Sequence, residues 1–340
     1  MWRRILAILA ARNREFYRDR AGLGWNILMP ILMVAAFAFI FRGEPEDVLK
    51  VGIVAPAGAL PAAGASPLLA VPHVDFVAVP AAEAGREKVR RHQLDLLVAL
   101  AEPPRYWVNV NAPKGRIAEQ VLRGAYAGTA VTPRREAVSG EALRYVDWVL
   151  PGILAMNIMF SSLWGIGWVI VRYRKNGVLR RLRATPLSAF EFLLAQVISR
   201  LGVVLSATAA VYLGAELFLD FVMRGSYLTL AVTYAVGALC LVSIALVVAA
   251  RLRTEEVADG VLNVLSWPMV LLSGVWFSME GTNPAAQAVS RVLPLTHLVE
   301  AARGVMIDGA GLADVAPQLI VLLIMAAVFL ALAAWLFRWE

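Results

Sequence analysis

The chain has 340 residues, of which 60% are hydrophobic, and its mean hydropathy is +0.68. Soluble domains are about 45–50% apolar, so this composition excludes a wholly soluble protein and predicts an integral membrane protein with a minority soluble part. The net charge of +7 comes from basic residues clustered beside apolar segments, a pattern that favours contact with membrane lipids over nucleic acid.

Residues 1–23 are predicted to form a basic amphipathic helix at the cytoplasmic membrane interface. Its apolar face is formed by Trp2, Ile5, Leu6 and Leu9. No A-x-A cleavage site follows, as a secretory signal peptide would require. The next apolar stretch, residues 24–42, is predicted to be the first membrane span, near the short limit for crossing a bilayer.

Residues 43–147 have dense, balanced charges and no apolar run long enough to span a membrane. Strand and helix patterns alternate, which predicts a small α/β domain of about 100 residues. Because the preceding span begins inside, the domain is predicted to lie outside the cytoplasm, and an isolated sensor domain is the alternative. The predicted strands are Val48–Val54, His73–Val79, Leu94–Leu100 and Tyr106–Val110, and the predicted helices are Ala82–His92 and Arg116–Ala127.

Residues 148–340 hold five further predicted spans, so the fold class is an α-helical polytopic membrane protein with six transmembrane helices. Pro268 is expected to interrupt the fifth span. Short loops rich in Lys and Arg stay in the cytoplasm, and their distribution places both termini there. The five predicted spans are Tyr145–Val171, Ala189–Gly214, Tyr227–Ala250, Val257–Trp276 and Val315–Phe337.

The loop at residues 172–191, between the second and third spans, reads RYRKNGVLRRLRATPLSAFE. Leu179 and Leu182 lie three apart, as one apolar face of a short helix requires, and Pro186 ends that helix. A basic, partly apolar helix between two spans is suited to docking a soluble partner. The charge alone is also explained by a positive-inside loop that has no partner.

The third span begins with an S-x-x-E pattern, Ser188 and Glu191, which predicts a capping box. Arg200 follows about 18 Å into the span, a depth at which a charge faces a bundle interior, water or an acid. It either pairs or snorkels structurally, or it lines a transport path and attracts an acidic substrate group. Asn157 in the second span makes an interhelical hydrogen bond or contacts a substrate.

Residues 277–311 consist of short amphipathic runs separated by prolines, which predicts a re-entrant or interfacial helix pair at the outer face. The residues singled out in this outer cap are Pro294, His297, Glu300 and Arg303. His297 is interpreted as a polar contact, and Glu300 and Arg303 are spaced to pair on one helical face.

Motifs for bond chemistry are missing from the sequence. The single cysteine, Cys240, excludes an intramolecular disulfide and a multi-cysteine metal site, and the three histidines lack metal-ligand spacing. There is no G-x-x-x-x-G-K-[ST] phosphate loop. We therefore expect no catalytic site, no metal and no cofactor in this chain, and any ATP must be bound by another polypeptide.

Several segments resemble type-2 ATP-binding-cassette (ABC) transporter permeases, and the resemblance covers nearly the whole chain. Residues 177–188, GVLRRLRATPLS, are similar to the family's coupling helix, G-T-L-E-x-L-R-A-T-P-L-S, with Val178 and Arg180 where Thr and Glu are usual. Residues 145–157, YVDWVLPGILAMN, are similar to its YVDF-x-x-PG-x-x-A-x-N run. Residues 272–309 are similar to its L-S-G…P-L-T-x-x-x-E-x-x-R-G segment, and larger members carry a domain between spans one and two.

The resemblance implies the permease subunit of an ATP-driven exporter with the type-2 (type V) fold, in a bacterial inner membrane. A cytosolic ATPase subunit carrying ATP and Mg²⁺ would dock on the coupling helix at 174–187, and two permeases, identical or sister chains, would enclose the path. The alternative is a signalling or mechanical transmitter that binds a partner through the outer domain. The implied docking residues are Gly177, Leu179, Arg180, Arg181, Leu182, Arg183, Thr185 and Pro186, and the possible pathway residues are Arg200 and Asn157.

Overall fold

The chain folds as two compact units. The helical unit comprises Met1–Phe39, Val146–Phe277 and Ala285–Glu340, and the α/β unit comprises Ile40–Tyr145 and Ser278–Pro284. The structure, a computed structural model, describes residues 2–18, 28, 30–34, 49–56, 59–62, 65–72, 74–90, 93–101, 103–109, 112–129, 131–138, 145–219, 221–252, 254–279 and 282–337.

The chain begins with helix α1 (Trp2–Arg18), which confirms the predicted N-terminal helix. Ile5 is buried in the helical unit, whereas Trp2 and Leu6 on the same helix are exposed. This leaves an apolar strip of the kind that interfacial helices insert into a membrane surface. The predicted first span, 24–42, lies largely outside the described residues, of which 28 and 30–34 are helical.

The α/β unit is built on a five-stranded mixed sheet with the order β2-β1-β3-β4-β5. Its strands are β1 (Leu49–Val54), β2 (Val74–Val79), β3 (Leu96–Ala99), β4 (Arg105–Asn109) and β5 (Arg134–Val138). β1 is parallel to β2 and β3, β4 is antiparallel to β3, and β5 is parallel to β4. Parallel neighbours need crossover connections, which a 3₁₀ helix (Pro67–Ala70), α2 (Ala82–Arg90) and α3 (Pro113–Ala125) supply.

Apolar side chains cover both faces of this sheet. Along β3, Leu96 and Val98 point to the face covered by Leu122 of α3, whereas Leu97 points to the face covered by Val89 of α2. This alternation follows from the two-residue period of a strand, and it explains why β3 is apolar throughout.

The structure confirms the four predicted strands and the two predicted helices of this unit, with bounds that move by a few residues. β5 was missed because its sequence, RREAV, is mostly charged and lacks an apolar alternation. The location of the unit outside the cytoplasm stays a prediction.

The first of the remaining helices is long and contains a π-helical segment between two α-helical parts. α4 (Tyr145–Ser162) runs through a π-helical segment (Leu163–Trp168) into α5 (Val169–Lys175). The others are α6 (Val178–Arg183), α7 (Ala189–Leu219), α8 (Tyr227–Arg251), α9 (Glu255–Leu272), α10 (Pro284–Ser290), α11 (Pro294–Met306) and α12 (Ala316–Leu336). α8 is central, packing against α7, α11, α12 and the π-helical segment.

Among the described residues, four helices are long and apolar enough to cross a membrane. They cover Val146–Lys175, Ala189–Leu217, Tyr227–Arg251 and Ala316–Leu336. α9, the predicted fifth span, is outside this group and carries three acidic residues in its first five positions. The coarse prediction of a polytopic helical membrane protein is therefore supported, while the count of six spans stays a prediction.

Prolines were predicted to break helices at three positions, and the structure confirms two of these breaks. The expected interruption at Pro268 is wrong, because α9 continues through it to Leu272; a helix tolerates an internal proline where other groups satisfy the freed carbonyl. In residues 277–311, α10 and α11 begin at Pro284 and Pro294, so the predicted breaks are confirmed. Proline at a first helical position removes an N–H that would have no partner there anyway.

Candidate functional site

The candidate site is the turn between α5 and α7, which we divide into a stem (residues 172–175) and a tip (α6, residues 178–183). Gly177 joins the two in a left-handed conformation, φ +69°, which glycine adopts without steric cost. In the tip, Leu179 is fully buried and Leu182 is half-buried. The short helix is thus fixed to the protein by one apolar edge.

The opposite edge of the tip is basic and exposed to solvent. Arg180, Arg181 and Arg183 are all exposed, and no acidic residue occurs between positions 172 and 190. Thr185 ends the helix: its N–H (3.0 Å) and its Oγ1 (2.6 Å) both donate to the carbonyl of Leu182. Pro186 follows, exposed. Of the predicted docking residues, Leu179 faces inward and anchors the helix, and the arginines form the outward surface.

Arg174 in the stem binds the end of a different helix. Its guanidinium donates to the carbonyls of Ala249 (2.9 Å), Ala250 (3.1 Å) and Leu252 at the C-terminus of α8. The last carbonyls of a helix have no partner within it and carry partial negative charge. Arg174 therefore satisfies both the hydrogen bonds and the charge, and it fixes the stem to α8.

The neighbouring stem residues bind α1. Arg172 pairs with Glu15 at 2.9 Å, and the Tyr173 hydroxyl donates to the same carboxylate. Arg12 pairs with Glu15 as well, at 3.0 Å. Burial tends to raise the pKa of Glu15, but the hydrogen bond from Tyr173 and the charges of Arg12 and Arg172 outweigh it, so this pKa lies below its usual value.

Lys175 completes the stem with a contact to α9, where its Nζ lies 3.5 Å from Glu255. Four consecutive residues thus reach three separate helices, α1, α8 and α9. A displacement of the stem would act on all three of them at once. Sequence reasoning missed this network because its partners are distant in the chain; the one available signal was Glu15, an acid within a strongly basic helix.

The capping box predicted at the start of α7 is present. The Ser188 N–H donates to the Glu191 carboxylate at 3.0 Å, and the Glu191 N–H donates to the Ser188 hydroxyl at 3.1 Å. Arg4 of α1 lies 3.5 Å from the same carboxylate. The reciprocal bonds satisfy two N–H groups at the helix start, so the chain leaving the tip is fixed by a cap of its own.

The two possible pathway residues lie in α4 and α7. Arg200 is 6% exposed, and it donates to the backbone carbonyl and, at 2.7 Å, to the hydroxyl of Ser161. Its guanidinium lies 5.6 Å from the ring of Phe16. Asn157 is half-buried one turn before Ser161, on the same face of α4. These contacts give Arg200 a structural role, and the pathway role stays a prediction.

The four residues predicted to belong to an outer cap lie elsewhere in the fold, on α11. Arg303 stacks on the Trp148 ring at 3.5 Å and donates to the carbonyls of Trp148 (3.0 Å) and Val275 (3.1 Å). His297 contacts the carbonyl of Arg291 at 2.9 Å. Pro294 is buried at the start of the helix and Glu300 is exposed. Like Arg174 of the stem, Arg303 thus binds backbone carbonyls of other segments, here one in α4 and one after the end of α9.

Metal-binding side chains do not gather in the part of the chain that the structure describes, where no group of three His, Cys, Asp or Glu residues lies close enough to hold an ion. His73 and His92 lie outside the described residues. What the candidate site offers is an exposed cationic surface on a fixed support.

Comparison with known proteins identifies the family of the chain. The chain is 25% identical over 199 residues to proteins described as "Inner membrane transport permease YhhJ" from Escherichia coli (strain K12) and from Shigella flexneri, an overlap of 55% of this chain and 51% of each relative. The chain thus matches about half the length of these curated relatives. A family model described as ABC-2 type transporter matches residues 102–307. Because that match covers more than half of the chain, the protein belongs to the ABC-2 type transporter family.

Proposed function

We propose that this chain is the transmembrane permease subunit of an ATP-driven exporter, and that a cytosolic ATPase docks on its tip. The observation that carries the proposal is the exposed tip helix, held between two membrane-span candidates by a stem that contacts three other helices. A force applied to a surface mounted in this way is transmitted into the helical unit. The family membership supports a transport role.

The charge of the tip predicts the chemistry of the partner. Arg180, Arg181 and Arg183 are exposed side by side, and arginine forms bidentate hydrogen bonds with carboxylates. We therefore expect the ATPase groove that receives the tip to be lined with Asp or Glu. Opposite charges across an interface accelerate association and reject wrong partners, so this groove would select this permease among others in the same cell.

The energy source belongs to the partner in this proposal. The sequence has no phosphate loop, so ATP and Mg²⁺ would be bound by the ATPase subunit. Two permeases, identical or sister chains, would form the path between them in a bacterial inner membrane. The basic tip and both termini would face the cytoplasm, and the α/β unit would lie on the other side.

A charge-reversal experiment tests the docking surface. The tagged chain is purified from its native membranes, and the ATPase that copurifies is quantified by mass spectrometry. The triple variant Arg180→Glu, Arg181→Glu, Arg183→Glu should lose most of that ATPase while the chain still inserts. Acid-to-lysine changes in the partner's groove should restore binding. The matched control reverses three exposed arginines of the α/β unit, Arg105, Arg116 and Arg134, and should retain the ATPase.

Retention of the ATPase at the wild-type level by the tip variant would contradict the docking site. A second, smaller change is Leu182→Asp, which introduces a charge at the half-buried edge of the tip and should also release the ATPase. Orientation is tested separately with a tag inserted at Ala184. Labelling of that tag only from outside intact cells would overturn the proposed topology.

A further inference from the structure

The helix that carries the candidate site contains a π-helical segment, Leu163–Trp168, midway between α4 and α5. Its flanking residues are fully helical, with φ −68° and ψ −49° at Ser162 and φ −66° and ψ −41° at Val169, so the helix passes through it unbroken. In a π-turn each N–H bonds five residues back instead of four. Because the backbone hydrogen bonds change partners along this stretch, donors from other helices can reach its carbonyls.

Two arginines from other helices donate hydrogen bonds to these carbonyls. Arg200 of α7 donates to the Ser161 carbonyl, just before the π-helical segment, and Arg12 of α1 donates to the Gly165 carbonyl within it, at 2.9 Å. The residues are 6% and 9% exposed, respectively. A buried guanidinium without hydrogen-bond partners would be costly, so the two arginines and the two carbonyls stabilise one another.

Gly165 makes this arrangement possible. A Cβ atom built on it would overlap the Arg200 guanidinium, so a larger residue would expel the arginine. Gly165 is not among the glycines with positive φ, which means that glycine is needed here for space and not for backbone conformation. The segment also contacts α9, where the Trp164 indole N–H donates to Asp259 at 2.9 Å.

We propose that the segment Leu163–Trp168 is the hinge of the helix, with Arg12 and Arg200 as positioning residues that hold it in the π form. Return of the turn to α-helical bonding shifts the hydrogen-bond register by one residue. That shift rotates α5 relative to α4 by about 100° per residue of register. The rotation releases both arginines and moves the stem and the tip together.

The role of this movement in coupling rests on the proposed function, whereas the hinge itself does not. It is therefore tested first on the full chain alone, in lipid nanodiscs. Gly165→Ala should expel Arg200 and convert the turn. The matched control is Gly202→Ala, a helical glycine of α7 where an added Cβ would meet nothing within 4 Å.

Hydrogen exchange of the backbone amides from 161 to 172 reports the local stability of the turn. Exchange in Gly165→Ala should differ from wild type by about tenfold, the size expected when hydrogen bonds from a charged donor are lost, and Gly202→Ala should stay within about twofold of wild type. Spin labels at Asn176 and Leu213, both exposed, should move by at least about 2 Å in Gly165→Ala alone. Unchanged exchange and unchanged distance would overturn the hinge.

Variants without added bulk decide the outcome if Gly165→Ala does not fold. Arg200→Gln and Arg12→Gln each remove a charged donor, and each should alter exchange in the same stretch, whereas Arg14→Gln at an exposed position of α1 should not. Arg200→Lys keeps the charge but loses the paired contacts to Ser161, so exchange should still change. Wild-type exchange in both glutamine variants would contradict the positioning roles.

The coupling role is tested last, in the complex with the copurified ATPase. Adding ATP with vanadate should change the label distance in wild type, and this change should be lost in Gly165→Ala although the ATPase stays bound. An unaltered response in Gly165→Ala would overturn the coupling role. Failure of the wild-type chain to bind any ATPase would contradict the proposed function and leave the hinge result standing.

Discussion

The stem and the tip of the candidate site each carry three basic side chains, yet those of the stem bind other helices whereas those of the tip lie on the surface. Arg172, Arg174 and Lys175 of the stem contact Glu15, the α8 carbonyls and Glu255. The arginines of the tip, a few residues later, are exposed. One run of positive charge in the sequence therefore has two parts in the structure. The stem fixes the turn to the protein, and the tip is available to a partner.

The difference shows whether each charge contributes to the stability of the fold or to the binding of a partner. A guanidinium that binds helix carbonyls contributes to the stability of the fold. An exposed guanidinium contributes almost nothing to stability but can contribute to binding. The same substitution should consequently have different effects on the two sides of Gly177.

The largest effect is expected for Arg174→Ala, which leaves three carbonyls at the end of α8 without their donor. We expect a loss of about 2 kcal/mol in the free energy of unfolding, seen as a lower thermal midpoint in detergent micelles. Arg174→Lys keeps the charge near the helix C-terminus and should recover part of the loss. A thermal midpoint equal to that of the wild type in Arg174→Ala would show that these hydrogen bonds are not needed to fix the stem.

A smaller loss is expected where the chain leaves the tip. Ser188→Ala removes the hydroxyl that accepts from the Glu191 N–H and should cost about 1 kcal/mol. Ser188→Asp keeps a capping acceptor but places a second negative charge beside the Glu191 carboxylate. Ser188→Thr is therefore the better control, and its thermal midpoint should stay near that of the wild type. Equal midpoints for Ser188→Ala and Ser188→Thr would indicate that packing of Phe192, not the cap, sets the start of α7.

Acid should weaken the contact between the stem and α1. The pKa of Glu15 is lowered in the folded protein, so its stabilising contribution is present above its ordinary value of 4.5 and is lost as pH falls through the lower folded value. The thermal midpoint of the wild type should drop over that window. Glu15→Gln should be less stable at neutral pH and should lack this part of the drop, and an identical pH profile in both proteins would contradict the assignment.

The smallest effect on stability is expected at the tip. Replacing Arg180, Arg181 and Arg183 together with alanine should change the free energy of unfolding by no more than about 0.5 kcal/mol, while copurification of the ATPase should fall strongly. Thermal unfolding and pull-down measured on the same preparation separate the two effects. A large loss of stability would place the tip with the stem as a structural element.

The predicted helices and strands followed from local patterns in most places. The S-x-x-E pattern at Ser188 correctly predicted a helix start, and the prolines at 284 and 294 correctly predicted breaks, because caps and proline act on the nearest residues of the chain. β5 was missed because its charged sequence gives no periodic signal. Pro268 was misjudged because the cost of an internal proline depends on neighbours that a sequence window does not include.

By itself, the sequence determined the class of the protein, since a long apolar segment or an alternating strand is defined by residues a few positions apart. It also placed the arginines of the tip and the S-x-x-E pattern of the capping box on a loop between two predicted spans. Only the tertiary structure decided what three of the arginines bind. Arg12, Arg174 and Arg200 bind backbone carbonyls of other helices, and every residue has a carbonyl, so no side-chain pattern in the sequence records such a partner.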